Sequence, residues 1–466
     1  MTGEAQGEAP RETPTEGESP VTGEAQVVGE AQVTDEAPVT REAGAEEKAG
    51  SPGPVAGPAT ETEAGAEAKA GSDAKAKADA KAEADAKAKA DAKAKADAKA
   101  KADAKAKADA KAKPKTKAEA TARPLPPPRP GRPDVLTFGE TMVALRGSGP
   151  LKLGGTMQVS VAGAESNVAI GLARLGHAVS WAGAVGDDEA GQLVLRTLRA
   201  EGVGVSGATV DPGAPTGLLM FEPRLPDVTR VHYYRAGSAG SRLTAHAVEA
   251  AFAAAPPRIL HLTGITPSLG PAALAASRHA LELAHRDGSL ICLDVNFRSR
   301  LWTTGDAAAV LRQWIPFVDV LIASDDELPL CLPEGAGGVD GPGARTADGA
   351  GAGRVAALAE RAAPLLEQGV TEVVAKLGAD GAAVFTGWES LHRPATPVRA
   401  VDPVGAGDAF VAGYLSALLD GAGPAERLER AVTTGAFAVA SHGDWEGAPT
   451  RAELGLLGAP PGTVVR

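Results

Sequence analysis

The residues with the types and spacing best suited to chemistry lie in segment 401–419. Gly405, Ala406, Gly407 and Asp408 stand between an extended entry and an Ala- and Leu-rich stretch that predicts a helix. Glycines let a backbone approach a ligand closely and a helix N-terminus attracts negative charge, so the loop predicts an anion site. Asp408, on the first helical turn, is then placed to take a proton from a hydroxyl that attacks a phosphoryl group. A glycine turn capped by an aspartate would show the same residues without that chemistry.

A second segment, 161–191, begins with small residues, places Asn167 at a predicted helix start and ends in another Gly-Asp turn. The two segments resemble the two signature regions of PfkB-type carbohydrate kinases, the ribokinase-like family, and GAGDAF is that family's most specific string. The resemblance extends from Phe138 to about Leu457. It implies an α/β fold, a three-layer α/β/α domain with a mostly parallel sheet and a small β lid. It also implies phosphoryl transfer from ATP with Mg²⁺.

Within this family the sequence is most similar to bacterial 2-keto-3-deoxygluconate kinases. Four segments carry the likeness: GAESN (163–167), HYYRAGSAGSRL (232–243), DVNFRSRLW (294–302) and SHGDWEGAP (441–449). The resemblance implies six substrate contacts: Gly163, Asn167, Tyr233, Arg235, Asp408 and Asp444. Leu219 stands at a lid position where some relatives have a tyrosine.

Two arginines in one sugar pocket suit an anionic substrate or donor, because a guanidinium matches both carboxylate and phosphate. We expect Arg235 to bind a substrate carboxylate and Arg298 to bind the transferring phosphate, although the residues alone do not decide which is which. Read singly, Arg298 is equally compatible with an exposed salt bridge and Tyr233 with a half-buried strand aromatic.

The expected nucleotide site depends on shorter strings. Segment 376–385, KLGADGAAVF, resembles the family's turn under ATP, and it is also compatible with an ordinary strand-turn-strand. Segment 323–328, ASDDEL, matches the family's Asn-x-x-Glu motif with Ser324 in place of Asn, which implies that Glu327 orders the waters of Mg²⁺. The expected nucleotide contacts are Asn296, Arg298, Ser324, Lys376, Gly378, Gly381, Gly405 and Gly407.

The elements that must position these residues follow from Val135 onward, where short apolar stretches alternate with helical ones. This alternation predicts a mostly parallel sheet covered by helices. The predicted strands are 134–140, 258–264, 289–296, 318–324 and 371–378, and two of the predicted helices are 270–288 and 352–369. Segments 151–163 and 216–235 predict antiparallel strands of a small sheet above the main one. The Gly-rich segment 333–353 predicts a surface insertion.

The first 132 residues contain no Trp, Tyr, Phe or Cys, and such a composition buries too little apolar surface to offset its chain entropy. We therefore expect a disordered tail before one kinase domain at 133–466. Within the tail, 1–68 is acidic, 69–122 is Lys/Ala-rich and repeats ADAKAK, and 123–133 is a Pro-rich linker. The domain itself is acidic, which argues against a nucleic-acid groove there and leaves the Lys-rich tail as the only candidate.

We expect a cytoplasmic homo-oligomer without a membrane partner. The start, MTGEAQGEAP, lacks the basic and apolar regions of a signal peptide, and no apolar run is long enough to span a bilayer. Cys292 and Cys331 lie in apolar surroundings without metal-type spacing, which favours a reducing compartment over a disulfide framework.

Other functions remain open to the sequence alone. A fructokinase or a 5-dehydro-2-deoxygluconate kinase would use the same chemistry, but a neutral sugar would leave Arg235 without a charge partner. A sugar-binding regulator that has lost catalysis is a further alternative, and intact Gly405, Gly407 and Asp408 argue against it. Binding of nucleic acid through the Lys-rich tail is compatible with either kind of domain.

Overall fold

The computed structural model describes residues 123–225, 228–334, 352–460 and 462–464. Its strands are β1 (Val135–Phe138), β2 (Met142–Gly147), β3 (Met157–Ala162), β4 (Val179–Ala182), β5 (Ala184–Gly186), β6 (Thr209–Asp211), β7 (Leu218–Leu225), β8 (Val228–Tyr234), β9 (Ile259–Thr263), β10 (Leu290–Asp294), β11 (Val320–Ser324), β12 (Glu372–Lys376), β13 (Ala382–Phe385) and β14 (Ser390–Arg393). Its helices are α1 (Ala164–Arg174), α2 (Glu189–Ala200), α3 (Ala245–Ala254), α4 (Pro271–Arg286), α5 (Thr304–Trp314), α6 (Ala352–Glu367), α7 (Ala406–Leu419) and α8 (Pro424–Val439).

The main sheet has the order β14-β13-β12-β11-β10-β9-β1-β4. Strands β4, β1, β9, β10, β11 and β12 run parallel, and β13 and β14 extend the sheet antiparallel at one edge. All five strands that the sequence predicts for this sheet are confirmed, and so are the two helices. These strands could be predicted from the sequence because each parallel strand is buried on both faces and therefore forms a short apolar run.

Helices cover both faces of this sheet. Successive strand residues alternate between two hydrophobic clusters, as Leu290 and Cys292 of β10 pack on one side and Ile291 and Leu293 on the other. Helices α3 to α6 contribute to the cluster around Ile291, whereas α1, α2, α7 and α8 contribute to the cluster around Leu290. The result is the expected three-layer α/β/α domain.

A four-stranded sheet, β3-β2-β7-β8, forms the lid. Segment 151–163 supplies β3, and segment 216–235 supplies β7 and β8, as the sequence predicts. Strand β2 was not predicted, and it pairs parallel with β7, so the lid is not wholly antiparallel. A parallel pair needs a long crossover connection, and the segment that includes α1 and α2 supplies it. Leu219 is buried in the small core of the lid.

The Pro-rich segment 123–133 runs in contact with the domain. Arg258 donates from Nε to the carbonyl of Pro126 at 2.6 Å, and Arg132 donates from Nη2 to the carbonyl of Pro257 at 2.6 Å. Leu125 packs against the hydrophobic cluster on the α1 side of the sheet. The tail up to residue 122 and most of the predicted insertion, 335–351, lie outside the described residues.

Candidate active site

The carboxyl ends of neighbouring parallel strands bring polar side chains to one edge of the main sheet. Asp294 ends β10, Ser324 ends β11 and Lys376 ends β12. The strands pair in register, with Ser324 opposite Lys376. Ligands of open α/β sheets bind at this edge, because the loops that follow the strands meet there.

The glycine loop lies against the same region. Gly405 precedes α7 with φ of 74°, in the left-handed region, and a Cβ at this position would lie 1.8 Å from the carbonyl oxygen of Asp444. Only glycine fits this turn. A Cβ on Gly407 would lie 3.7 Å from Nζ of Lys376, so the loop passes directly beside that ammonium group. Ala406 is the first residue of α7.

The start of α7 offers free donors. Ala406 and Ala409 donate their N–H groups to the carbonyls of Pro403 and Gly405, whereas the N–H groups of Gly407 and Asp408 have no acceptor among the described residues. Free N–H groups at a helix N-terminus bind anions. The glycine loop therefore has the geometry of an anion hole.

Asp408 is buried on the first turn of α7 and accepts a hydrogen bond at Oδ2 from Nδ2 of Asn167, at 2.7 Å. Burial is the main reason why the pKa of Asp408 is raised to about 7, with a further contribution from the charge of Asp294. The Asn167 hydrogen bond and the charges of Arg298 and Lys376 oppose this rise. A carboxyl group with such a pKa can accept a proton near neutral pH.

Asn167 also presents an unused group. Its Oδ1 atom is buried without a hydrogen-bond partner among the described residues. Such an acceptor is costly to leave unpaired, so it fits a site that receives a donor from a ligand. The neighbouring Gly163 precedes α1 in an extended conformation, and a Cβ there would lie 2.5 Å from the carbonyl oxygen of Glu140. Gly163 thus lets α1 approach the end of β1 closely.

Lys376 is held by Asp294, which accepts a hydrogen bond from Nζ at 2.7 Å. Burial opposes the charged form, but Asp294 and Glu327 outweigh it and raise the pKa of Lys376. Asn296 donates from Nδ2 to the second oxygen of Asp294 at 3.2 Å and adopts a φ of 42°. This left-handed conformation is uncommon outside glycine and marks a tightly constrained turn.

Glu327 fixes two loops. Its Oε1 accepts from the N–H of Phe297 at 2.7 Å and its Oε2 accepts from the N–H of Ser324 at 2.8 Å. The described residues contain no group of three or more His, Cys, Asp or Glu side chains that could hold a metal ion. Arg298 is exposed and donates to the carbonyl of Phe297. Its positive charge lowers the pKa of Asp408.

The predicted nucleotide turn is a β12–β13 hairpin. Gly378 and Gly381 have φ of 61° and 91°, and a Cβ on Gly381 would lie 2.0 Å from the carbonyl oxygen of Arg393. Asp380, between these glycines, pairs with Arg354, which also pairs with Asp325 after β11. The turn is therefore tied to the loop that carries Glu327.

Arg235 approaches the site from the end of the lid. Its Nη2 atom lies 2.5 Å from Oε2 of the buried Glu140, which also accepts from the hydroxyl of Ser238. The guanidinium lies 5.8 Å from the ring of Tyr233, which is 44% exposed. Glu165 is buried nearby, and this burial raises its pKa although the hydroxyls of two threonines donate to it.

Asp444 is buried, and its Oδ2 atom accepts from Nη2 of Arg146 at 2.6 Å. Burial raises the pKa of Asp444 to about 6, although Arg146 opposes the rise. Three residues of the site are not among those predicted from the sequence: Arg146, Glu140 and Glu165. Glu165 stands inside the GAESN string and Glu140 is the last residue of the predicted strand 134–140, whereas Arg146 carries no local signal.

The structure thus gathers Asp408, Asn167, Lys376 and Arg298 around the glycine loop, and it places Arg235 and Tyr233 at the lid. A three-layer α/β/α domain with a β lid and an anion-hole loop beside a buried aspartate is a ribokinase-like kinase fold. The sequence profile described as pfkB family carbohydrate kinase matches residues 132–451. The chain belongs to this family.

Individual relatives agree. The chain is 36% identical over 328 residues to the 2-dehydro-3-deoxygluconokinase of Thermoproteus tenax, covering 68% of this chain and 92% of that protein. It is 34% identical over 333 residues to the 2-dehydro-3-deoxygluconokinase of Bacillus subtilis (strain 168), covering 69% and 94%. The crystal structure of a PfkB protein from Polaromonas sp. JS666 superposes with a TM-score of 0.58 at 33% identity, covering 69% of this chain and 99% of that one.

Proposed function

We propose that the protein phosphorylates 2-keto-3-deoxygluconate (2-dehydro-3-deoxygluconate) to its 6-phosphate, with ATP as donor and Asp408 as base. The observation that carries the proposal is the buried Asp408 carboxyl group, whose pKa is raised to about 7 directly beside two free N–H groups at the start of α7. The names of the two sequence relatives support the sugar acid as substrate.

The catalytic step needs a base and a charge sink. Asp408 accepts the proton of the attacking hydroxyl, and Asn167 orients the carboxylate through its hydrogen bond at 2.7 Å. The N–H groups of Gly407 and Asp408 stabilise the negative charge of the transferring phosphoryl group. Lys376 and Arg298 add positive charge on the same side, and both already act on Asp408.

Recognition of the sugar acid uses the lid side. Oδ1 of Asn167 accepts a hydrogen bond from one substrate hydroxyl. Asp444 accepts a hydrogen bond from another. Arg235 binds the carboxylate while it keeps Glu140, since a guanidinium has five N–H donors and can serve two carboxylates. Burial raises the pKa of Glu165, whereas the hydroxyls of Thr263 and Thr266 oppose this rise. Tyr233 covers the site from the lid, where its half-exposed ring is free to contact the sugar.

We also propose that Mg²⁺ accompanies ATP. Mg²⁺ keeps several waters and usually takes one or two carboxylates together with substrate phosphates. The oxygens of Glu327 and Asp294 already have protein partners, so these carboxylates fit an ion held through water better than a direct cage. Mg²⁺ would neutralise charge on the phosphates. Ser324, Gly378 and Gly381 line the proposed nucleotide side of the site.

The cellular setting is a separate proposal. Cys292 and Cys331 are free and buried, and burial raises the pKa of both thiols, as expected for structural cysteines of a reducing compartment. We therefore propose a cytoplasmic location. No helix in the described part of the chain is long and apolar enough to cross a membrane. The homo-oligomer and a nucleic-acid contact of the Lys-rich tail stay predictions.

A coupled assay of ADP release tests the function. Purified protein receives ATP and Mg²⁺ with 2-keto-3-deoxygluconate, fructose or 5-dehydro-2-deoxygluconate, and the phosphorylated position is read by NMR. The proposal expects the highest kcat/KM for 2-keto-3-deoxygluconate and a 6-phosphate product. A higher kcat/KM for fructose would overturn the choice of substrate, and ADP release with none of the three would overturn the kinase proposal for this substrate group.

A further inference from the structure

A guanidinium from the lid contacts the two segments that lie against the glycine loop. Arg146 lies on β2, and its side chain is only 18% exposed. Its Nη1 atom donates to Oδ2 of Asp402 at 3.1 Å and its Nη2 atom donates to Oδ2 of Asp444 at 2.6 Å. The guanidinium also stacks on the ring of Phe221 in β7, 3.9 Å from its centroid. Phe221 fixes the arginine within the lid, while both carboxylates belong to the main domain.

The first carboxylate organises the entry to the glycine loop. Asp402 accepts from the N–H of Val404 at 3.0 Å with Oδ1, and the N–H of Gly443 lies 3.5 Å from its Oδ2. Arg146 therefore holds the side chain that joins the turn at 402–405 to the loop at 441–446. Gly405, which opens the anion hole, is the last residue of this turn.

Asp444, which carries the second carboxylate, contacts the glycine loop through its backbone. The carbonyl oxygen of Asp444 occupies the place where a Cβ of Gly405 would stand. If the backbone of Asp444 moved, its carbonyl oxygen would either press against Gly405 or leave a gap beside it, and the anion-hole loop would shift. Two further lid contacts hold this loop, from Nε1 of Trp445 to the carbonyl of Val161 at 3.1 Å and from the hydroxyl of Ser160 to Glu446.

We propose that Arg146 is a positioning residue that couples the lid to the anion-hole loop through Asp402 and Asp444. The guanidinium sets the position of the Gly405 turn when the lid lies on the domain. This inference rests on the proposed kinase function, because it assigns the coupling to phosphoryl transfer. A lid that closes over the sugar thus also aligns the donor side, which ties transfer to the presence of the acceptor.

Two variants and one matched control test the coupling. Arg146→Met keeps the length of the side chain and its contact with Phe221 but removes both hydrogen bonds. Arg146→Lys keeps the charge. Arg230→Met is the control, because Arg230 lies on β8 of the same lid, is 60% exposed and pairs only at 3.7 Å with Glu222, itself a lid residue.

The first measurement is steady-state kinetics. We expect Arg146→Met to lower kcat by about tenfold or more and to raise the KM of the sugar, as for the loss of charge-assisted hydrogen bonds, with the KM of ATP within about twofold of wild type. Arg146→Lys should recover part of kcat, and Arg230→Met should match wild type. Wild-type kcat in Arg146→Met, or an equal loss in Arg230→Met, would overturn the coupling.

The second measurement is hydrogen exchange of the unliganded proteins, in peptides that cover 402–405 and 441–446. We expect faster exchange there in Arg146→Met and unchanged exchange in Arg230→Met. Unchanged exchange in Arg146→Met would refute the positioning role even if no substrate were phosphorylated by the wild type. Absence of wild-type activity alone would instead refute the kinase proposal. If Arg146→Met were insoluble, the same comparison would be made with Arg146→Lys.

Discussion

Nδ2 of Asn167 donates a 2.7 Å hydrogen bond to Oδ2 of Asp408, and this bond joins the start of α1 to the start of α7. The two residues are 241 positions apart in the chain. The bond favours the ionised carboxylate and so lowers a pKa that burial raises. The Asn167 hydrogen bond therefore increases the ionised fraction of Asp408 at neutral pH, and this is the form that accepts a proton.

Replacement of this donor should move the pH profile. Asn167→Leu removes the hydrogen bond, so the pKa of Asp408 should rise and the acid limb of kcat/KM should move upward by about one pH unit. Below its pKa the base is protonated and inactive, so activity near pH 7 should fall. Ser166→Ala, a change at the adjacent residue of α1 whose hydroxyl bonds to Gly163, should leave the limb in place. An unmoved limb in Asn167→Leu would show that Asp408 is not the titrating base.

The same pKa predicts a pH-dependent stability. Because the folded pKa of Asp408 lies near 7, above its ordinary value, the folded state binds the extra proton between about pH 4 and 7. The contribution of Asp408 to the free energy of unfolding therefore falls as the pH rises through this window. Asp408→Asn does not ionise, so it should gain stability relative to wild type between pH 5 and pH 8 in urea unfolding.

Asp420 gives the control with the opposite sign. It is the C-cap residue directly after α7, and although burial opposes ionisation, hydrogen bonds from Arg451 and Arg430 lower its pKa to about 2. Asp420→Asn should destabilise the protein by a similar amount at pH 5 and pH 8, since both its folded and unfolded pKa values lie below this range. A flat difference for Asp408→Asn would contradict a raised pKa in the folded state.

Arg235 and Arg298 should separate substrate choice from chemistry. If Arg235 binds the carboxylate, Arg235→Leu should lower kcat/KM for the sugar acid by about one to two powers of ten and spare fructose. Arg298→Leu should slow both substrates equally, because the phosphoryl group is common to them. The readout is the ratio of the two kcat/KM values in each variant. An equal effect of Arg235→Leu on both substrates would refute carboxylate recognition by this residue.

The N-terminal boundary gives a further prediction. Removal of residues 1–122 should leave kcat and KM unchanged, because that composition offers no apolar face for packing. Removal of 1–133 should lower Tm, because it deletes Leu125 and the carbonyl of Pro126 that Arg258 binds. Differential scanning fluorimetry of both proteins measures this. Equal Tm values would show that segment 123–133 adds no stability, and a changed KM after the shorter deletion would show that the tail affects the site.

The sequence predicts those parts of the molecule that depend on local pattern. The strands ending at Asp294 and Lys376 stand out because they are apolar and short, and the GAGD loop stands out because glycines precede a helix. The pair of Arg146 and Asp444 could not be predicted, since the residues lie 298 positions apart and nothing near Arg146 distinguishes it from a surface arginine. Glu165 was within reach, but its burial follows only when α1 packs against the main sheet, where Thr263 and Thr266 donate to its carboxylate.

The glycine loop with Asp408 is the centre of the account, and Asp408→Asn tests it most directly. Asn keeps the shape of the side chain and an oxygen for the Asn167 bond but cannot accept the proton. The measurement is kcat with 2-keto-3-deoxygluconate beside the Kd of ATP from calorimetry, with Asp420→Asn, at the C-cap of the same helix, as the control. We expect an unchanged Kd and a kcat lower by about 10²–10⁴-fold, typical of a lost general base. A variant that retains more than about a tenth of wild-type kcat would contradict the role of Asp408.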